Sequence, residues 1–284
     1  MLIVDSQIHI WGPDTPQRAW QPGRAAEAQK PYPIDKETLL FQMDLAGVQG
    51  VVLVPPSWEG DRNDLVLEAA AANPERFAAM GRFDVGDPAS RDRVAGWRDQ
   101  PGMLGIRLTF HNEYYRHLLT DGSADWFWDA AERADIPLMV LVPGALDVLD
   151  RIAGRHPGLK LAIDHVGLGA RGKAPEVFDD LPAVCALAKR SNVAVKASGM
   201  PSLSRQEYPF SDLHDAIKML VESFGPRRVF FGTDLTRMPC TYYECITLFT
   251  QHLPWLKGED LEWVMGRGVC EWLRWDALSP KDQN

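Results

Sequence analysis

Eight short apolar runs punctuate the chain: "LIVD" (2–5), "GVVLV" (50–54), "AAMGRF" (78–83), "GIRLTF" (105–110), "PLMVLV" (137–142), "LKLAID" (159–164), "NVAVKAS" (192–198) and "RVFFGTD" (228–234). Their apolar character is continuous rather than alternating, the mark of strands covered on both faces, as in a parallel sheet. Turn chemistry precedes them, as in "LAGVQG", "ANPERF", "GRHPGL" and "FGPRR". Gly, Pro and Asn at these places end a helix and release the chain into a strand. The segments between carry helical periodicity. In "LHDAIKMLVESF" the apolar residues Leu213, Ile217, Leu220, Val221 and Phe224 form one stripe. Strand and helix alternating eight times predict a single (β/α)8 barrel. An open doubly wound sheet is the competitor, but no glycine-rich fingerprint follows the first strand. Residues 12–34, rich in Pro, Gly and Ala, break the rhythm and read as a long loop after strand 1, placed to act as a lid. One domain over residues 1–284 is expected.

Composition narrows the class. At 284 residues the chain fits one barrel. Its net charge of −9, from 30 basic and 39 acidic residues, comes without a basic stripe, so nucleic acid is not expected as a partner. No stretch approaches a membrane span. The opening "MLIVDSQIHIWG" reads as a buried strand rather than a signal peptide. The four cysteines, 185, 240, 245 and 270, form no CxxC pair, which fits reduced thiols in the cytoplasm.

In such barrels the chemistry sits at the C-terminal ends of the strands. Strand 1 ends in Asp5, Gln7 and His9; strand 4 carries Arg107; strand 6 ends in Asp164 and His165; strand 7 carries Lys196 and Ser198; strand 8 ends in Asp234. Each has a plain structural use as well. His9 could bond to backbone, Asp234 or His165 could cap a turn, and Gln7 or Ser198 could pack. An arginine in an apolar strand requires an anion, so Arg107 needs either a substrate or a structural acid. Lys196 could form a Schiff base or pair with a buried acid such as Asp164.

The ordered set "DSQIH", "GIR", "IDHVG", "VKASG" and "FFGTD" resembles the amidohydrolase superfamily over nearly the whole chain, and within it the lactonase-like branch that includes 2-pyrone-4,6-dicarboxylate lactonase and fuconolactonase-like enzymes. The resemblance implies that Asp234 is a general base activating water. His9 and His165 would surround that water and the scissile carbonyl, and Arg107 would bind a substrate carboxylate. Three departures stand out. Gln7 occupies the first position of the His-x-His found in metal-dependent members. Strand 5 lacks the histidine that metal-binding members use. The last helix reads "GRGVCEWLRW" where relatives often carry Asn before a small residue. A lactone is an activated ester, and cationic groups can stabilise its oxyanion. No cofactor is therefore expected to be required; the alternative is one divalent metal such as zinc held by His9, His165 and Asp234.

Aromatic and basic residues gather on the loops that follow the strands. Trp11, Trp58, His111, Tyr115 and Arg171 join Gln7, Arg107, Lys196 and Ser198 as candidate substrate-binding residues. That mixture suits a planar or cyclic organic anion. The expected activity is a lactonase opening a cyclic ester that carries a carboxylate, in aromatic-compound catabolism. The alternatives are a metal-dependent decarboxylase of an aromatic acid, and an isomerase or ligand-binding protein on the same barrel. The tryptophan-rich C-terminal segment is expected to pack either on the barrel or on a second copy of the chain.

Overall fold

The apolar runs become eight parallel strands in the computed structural model, which describes residues 1–111, 113–168 and 172–278. They are β1 (Val4–Ile8), β2 (Gly50–Leu53), β3 (Phe77–Arg82), β4 (Met103–Thr109), β5 (Leu138–Leu141), β6 (Leu161–Ile163), β7 (Val193–Ser198) and β8 (Val229–Gly232), hydrogen-bonded in that order. Helices α1 (Lys36–Ala46), α2 (Asp64–Ala72), α3 (Glu113–Thr120), α4 (Asp125–Arg133), α5 (Leu146–Arg155), α6 (Leu181–Cys185), α7 (His214–Phe224) and α8 (Tyr242–Gln251) lie between and after the strands. This is the (β/α)8 barrel that the alternation predicts. After β3, two 3-10 turns (Pro88–Arg93 and Trp97–Asp99) connect to β4. There the buried ring of Trp97 donates to the Gly105 carbonyl at 2.9 Å. Gly81 gives that ring its place, since a Cβ at 81 would lie 2.8 Å from it.

Side chains sort by face. The predicted stripe of α7 (Ile217, Leu220, Val221, Phe224) is buried together with Leu213 just before the helix. Full burial of a residue of this kind contributes about 1.5–3 kcal/mol. Val4, Val52, Val54, Met80, Met139, Ala162, Ala194 and Phe230 fill the barrel's interior. Val269, Cys270, Leu273 and Trp275 pack against that cluster from below. The tryptophan-rich C-terminal segment thus packs on the chain's own barrel.

β1 starts and ends later than the apolar run implied, and it holds polar residues. Its register to β2 runs Val4 to Gly50 and Asp5 to Val51, then Ile8 to Leu53, so β1 contains one extra residue. Such a bulge reverses the alternation beyond it. Val4 faces the interior, and without the bulge Gln7 and His9 would face outward; with it both turn in. The same irregularity closes the barrel. The Asp5 carboxylate accepts the backbone N–H of Gln7 at 2.9 Å, the N–H of Thr233 at 2.9 Å and the Thr233 hydroxyl at 2.5 Å. The N–H of Asp234 donates to the Gln7 carbonyl at 2.8 Å. Burial pushes the Asp5 carboxyl up to about 6 against the pull of these bonds. Gly232 allows the close approach, because a Cβ there would stand 2.6 Å from the Ser6 hydroxyl.

The long loop after β1 is pinned across the top. Arg18 holds Glu59 through Nε at 2.8 Å and grips Asp64 with both terminal nitrogens. Arg24 pairs with Glu27 and donates to the Ser57 carbonyl and hydroxyl.

Candidate active site

A cavity of about 690 Å³ lies at the C-terminal ends of the strands. That is room for a small organic ligand. Its lining includes His9, Trp58, Arg107, His111, His165 and Asp234 from the expected set, together with Glu27, Gln29, Thr109 and Arg237. The groups expected to converge do meet around one space.

Asp234 follows β8 directly and takes a left-handed backbone (φ 54°). It is 1% exposed, yet its side-chain contacts among the described residues are all long. His9 Nε2 lies 3.4 Å from Oδ1, Gln29 Nε2 3.5 Å from Oδ1, and Arg237 Nη1 3.5 Å from Oδ2. Burial works to raise its pKa, but His9, His165, Arg237 and Arg107 outweigh burial and hold the carboxylate below its ordinary range. A buried, ionised carboxylate without a short bond is suited to accept a proton from a ligand or a water.

His165 also sits past a strand end in left-handed backbone (φ 49°), and Val166 follows with φ 59°. A β-branched residue in that region stores strain, about 1–3 kcal/mol. The result is an abrupt turn that places His165 at the cavity, its Nδ1 3.0 Å from the Ser198 hydroxyl. Desolvation pulls the His165 imidazole down to about 4. His9 is buried, with Nδ1 2.6 Å from the Val54 carbonyl, and burial lowers its pKa as well.

Beneath the cavity lies a sealed ionic cluster. Asp164 accepts Arg107 Nε at 2.8 Å and pairs with Lys196 Nζ at 2.8 Å. Lys196 and Asp164 are both 0% exposed. Burial alone would raise the Asp164 carboxyl, but Lys196 and Arg107 hold it well below the usual carboxylate range. Lys196 also touches the Met139 sulfur at 3.3 Å and donates to Gln7 Oε1 at 2.5 Å, while Gln7 Nε2 stands 3.3 Å from His9 Nε2. Of the two uses open to Lys196, the structure realises the pairing with a buried acid.

The remaining expected residues divide by position. Trp58 lines the cavity, and Trp11 is stacked behind it edge-to-face at 5.3 Å. Gln7, Lys196 and Ser198 lie under the floor rather than on the lining. Tyr115 lines a small neighbouring recess with Arg82 and Arg107. Arg171 lies outside the described residues. Glu27, Gln29 and Thr109 were not foreseen. Thr109 carried a usable signal, being two residues beyond Arg107 and so on the same strand face. Glu27 and Gln29 carried little, because nothing in the 12–34 loop marks which polar residues fold inward. Gln29 reaches Asp234 because its Oε1 also accepts the Thr236 hydroxyl.

A divalent metal would need His9, His165 and Asp234 to close around one point. Among the described residues, the one group of His, Cys, Asp or Glu whose ligand atoms all lie within 4.8 Å of one another is Asp129, Glu132 and His156. Asp129 and Glu132 belong to α4 and His156 follows α5, and none of the three lines the cavity. In the cavity, the His9 nitrogen that would bind a metal faces the Gln7 amide nitrogen, and a buried ammonium stands one residue further in. The residues present do not fit a preformed divalent site. Among the described residues no helix is long and apolar enough to cross a membrane.

Comparison with known proteins agrees with this fold. A family model described as amidohydrolase matches residues 4–267. No curated protein matches. Among solved structures, an amidohydrolase from Burkholderia multivorans with bound zinc superposes with a TM-score of 0.78 at 22% identity, covering 96% of this chain and 99% of that one. A probable 2-pyrone-4,6-dicarboxylic acid hydrolase from Acinetobacter baumannii, with citric acid bound, gives 0.73 at 16%, covering 96% and 100%. A 5-carboxyvanillate decarboxylase from Sphingomonas paucimobilis gives 0.63 at 18%, covering 96% and 99%. The zinc in the first of these leaves the expectation of a cofactor-free site without support from the relatives.

Proposed function

The chain belongs to the amidohydrolase family, and on that premise we propose that it is an enzyme hydrolysing a cyclic ester that bears a carboxylate. The observation that carries this reading is Asp234: a buried anion at a ligand-sized cavity, flanked by two imidazoles, with no contact shorter than 3.4 Å among those described for its side chain. In this reading Asp234 takes a proton from water as the water oxygen attacks the ring carbonyl. The carbonyl π pair moves to oxygen, and neutral His165, with Nδ1 accepting from Ser198, donates from Nε2 to the oxyanion. Collapse breaks the ring C–O bond, and the departing alkoxide recovers the proton from Asp234. Arg107, held at Nε by Asp164, and Arg237 bind the substrate's carboxylate. The similarity to a 2-pyrone-4,6-dicarboxylic acid hydrolase supports a carboxylated lactone. In this reading every step is assigned to the protein's own groups, and the Gln7 amide, held by Lys196, occupies the side of His9 Nε2 that a metal would take.

The second reading is decarboxylation of an aromatic acid, favoured by the decarboxylase with the same fold. One assay separates the two. Carboxylated lactones and hydroxylated aromatic acids are incubated with enzyme that has been exhaustively chelated, and again after zinc is restored. Proton release from ring opening, undiminished by chelation, is expected. Release of carbon dioxide, or activity only with zinc, would replace the first reading with the second or with a metal-dependent hydrolase.

The pH dependence follows from the same groups. Asp234 is held below 3.8 and His165 near 4. Both should keep their working protonation states down to about pH 5, so kcat/KM is expected to stay level from pH 7 to about 5 and to fall below that, first as His165 gains its proton and then, in stronger acid, as Asp234 does. A limb centred near 6.5, where an ordinary histidine titrates, would contradict the assignment.

A further inference from the structure

Gln7 spans a buried gap between a lysine and a histidine, and the chemistry of its neighbours fixes which way it points. The Lys196 ammonium has donors only. Its close partner on Gln7 must therefore be the amide oxygen, Oε1, with Asp164 on the other side of the ammonium. The Gln7 NH2 group is left facing His9 Nε2 at 3.3 Å. It too can only donate, so Nε2 must be the accepting, unprotonated nitrogen. At the far side of the ring the Val54 carbonyl can only accept, so the His9 proton belongs on Nδ1. Donor and acceptor roles thus run in one direction from Lys196 through Gln7 to His9, and every member is buried.

The consequence falls on Asp234, whose Oδ1 lies 3.4 Å from the same Nε2. Were Nε2 protonated, His9 would be an imidazolium beside that carboxylate and would capture it in an ion pair. Arg107 and Lys196, both cations, also act on His9 and oppose an imidazolium; Trp58 lies edge-on to the ring at 6.0 Å between centroids.

We propose that Lys196 and Gln7 are positioning residues that lock His9 in the neutral Nδ1–H form and so keep Asp234 free to accept a proton. The single lone pair of His9 Nε2 is taken by the Gln7 amide, so His9 shares no proton with Asp234 Oδ1, which stays open to a hydrogen donated by a water in the cavity. The functional half of this inference rests on the reading of Asp234 as the base; the tautomer itself does not.

The test is the histidine side-chain nitrogen spectrum of the whole protein labelled with 15N-histidine at pH 7, with the His9 signals identified by their loss in His9→Gln. Wild type should show His9 with Nδ1 protonated and Nε2 bare. In Gln7→Glu the carboxylate still meets Lys196 but cannot donate, so His9 should become doubly protonated, with turnover reduced about 10²-fold, the scale of a general base put out of action. Lys196→Met frees the Gln7 amide to rotate and should give His9 mixed tautomers. An Nε2–H tautomer in wild type, or an unchanged His9 spectrum in Gln7→Glu, overturns the proposal. If Lys196→Met does not fold, wild type and Gln7→Glu decide the matter. Since the spectrum needs no substrate, a correct tautomer in an enzyme that opens no lactone would remove the proposed activity alone. The wrong tautomer in an active lactonase would remove the relay alone.

Discussion

Replacing Asp234 by Asn is expected to lower kcat by about 10³-fold, within the range that general-base catalysis supplies, while moving the thermal midpoint by only a few degrees. The structure separates the two effects. The side chain has no contact shorter than 3.4 Å among those described, so folding gains little from its charge. The bonds that hold this stretch to β1 are made by Thr233 to Asp5 and by the backbone N–H of Asp234 to the Gln7 carbonyl, and Asn keeps them all. Position 234 has φ 54°, a region where Asn is among the few tolerated side chains. Ala at 234 would confuse the result by adding backbone strain to the loss of the carboxylate. Because the proton is taken only as the water attacks, KM should change far less than kcat. Steady-state kinetics beside a melting curve check both halves. A variant that keeps a tenth of its activity would place the base elsewhere.

Asp234 was legible in the sequence because two regularities met on it. A run of apolar residues, "RVFFGTD", marks a strand, and the barrel rule puts function at the strand's end. The same logic reached His9, Arg107 and His165, all on the cavity wall. What it could not reach was anything set by register. The bulge in β1 that turns Gln7 and His9 inward leaves no mark in "DSQIH", where alternation from Val4 points them outward. Nor could the sequence choose between partners for Lys196, since Asp164 sits 32 positions away and their meeting depends on how β6 and β7 stack. The loop after β1 was recognisable by composition as a loop. The choice of Glu27 and Gln29 as the residues that enter the cavity depends on anchors, Arg24 to Ser57 and Gln29 to Thr236, that exist only once the loop has folded.

Asp164→Ala should be the most destabilising single change at this site, by about 3–5 kcal/mol, because it strands two buried cations. Arg107 Nε and Lys196 Nζ each lie 2.8 Å from the carboxylate, and they are 5% and 0% exposed. In wild type the depressed pKa of Asp164 means that its stabilising charge is present at all pH values above the ordinary carboxylate range and is lost only in strong acid. Removing it transfers the problem to the cations. Arg107 cannot shed its proton, but Lys196 can, and burial already lowers its pKa. With the carboxylate gone, the folded state should hold Lys196 neutral at a pH where the unfolded chain still protonates it. The unfolded state then binds more protons, so Asp164→Ala should grow more stable as pH rises from 7 toward 10. Wild type, whose Lys196 keeps its counter-charge, should show a weaker rise. Urea unfolding at pH 7 and 9.5 measures both. Replacing Asp164 together with one of its partners, Asp164→Leu with Lys196→Met, removes the uncompensated ammonium and should recover part of the lost stability, with the Arg107 guanidinium still lacking its carboxylate. It should not recover turnover, because the Gln7 amide would no longer be held by an ammonium. A double variant that regained activity along with stability would show that the buried pair serves the fold alone.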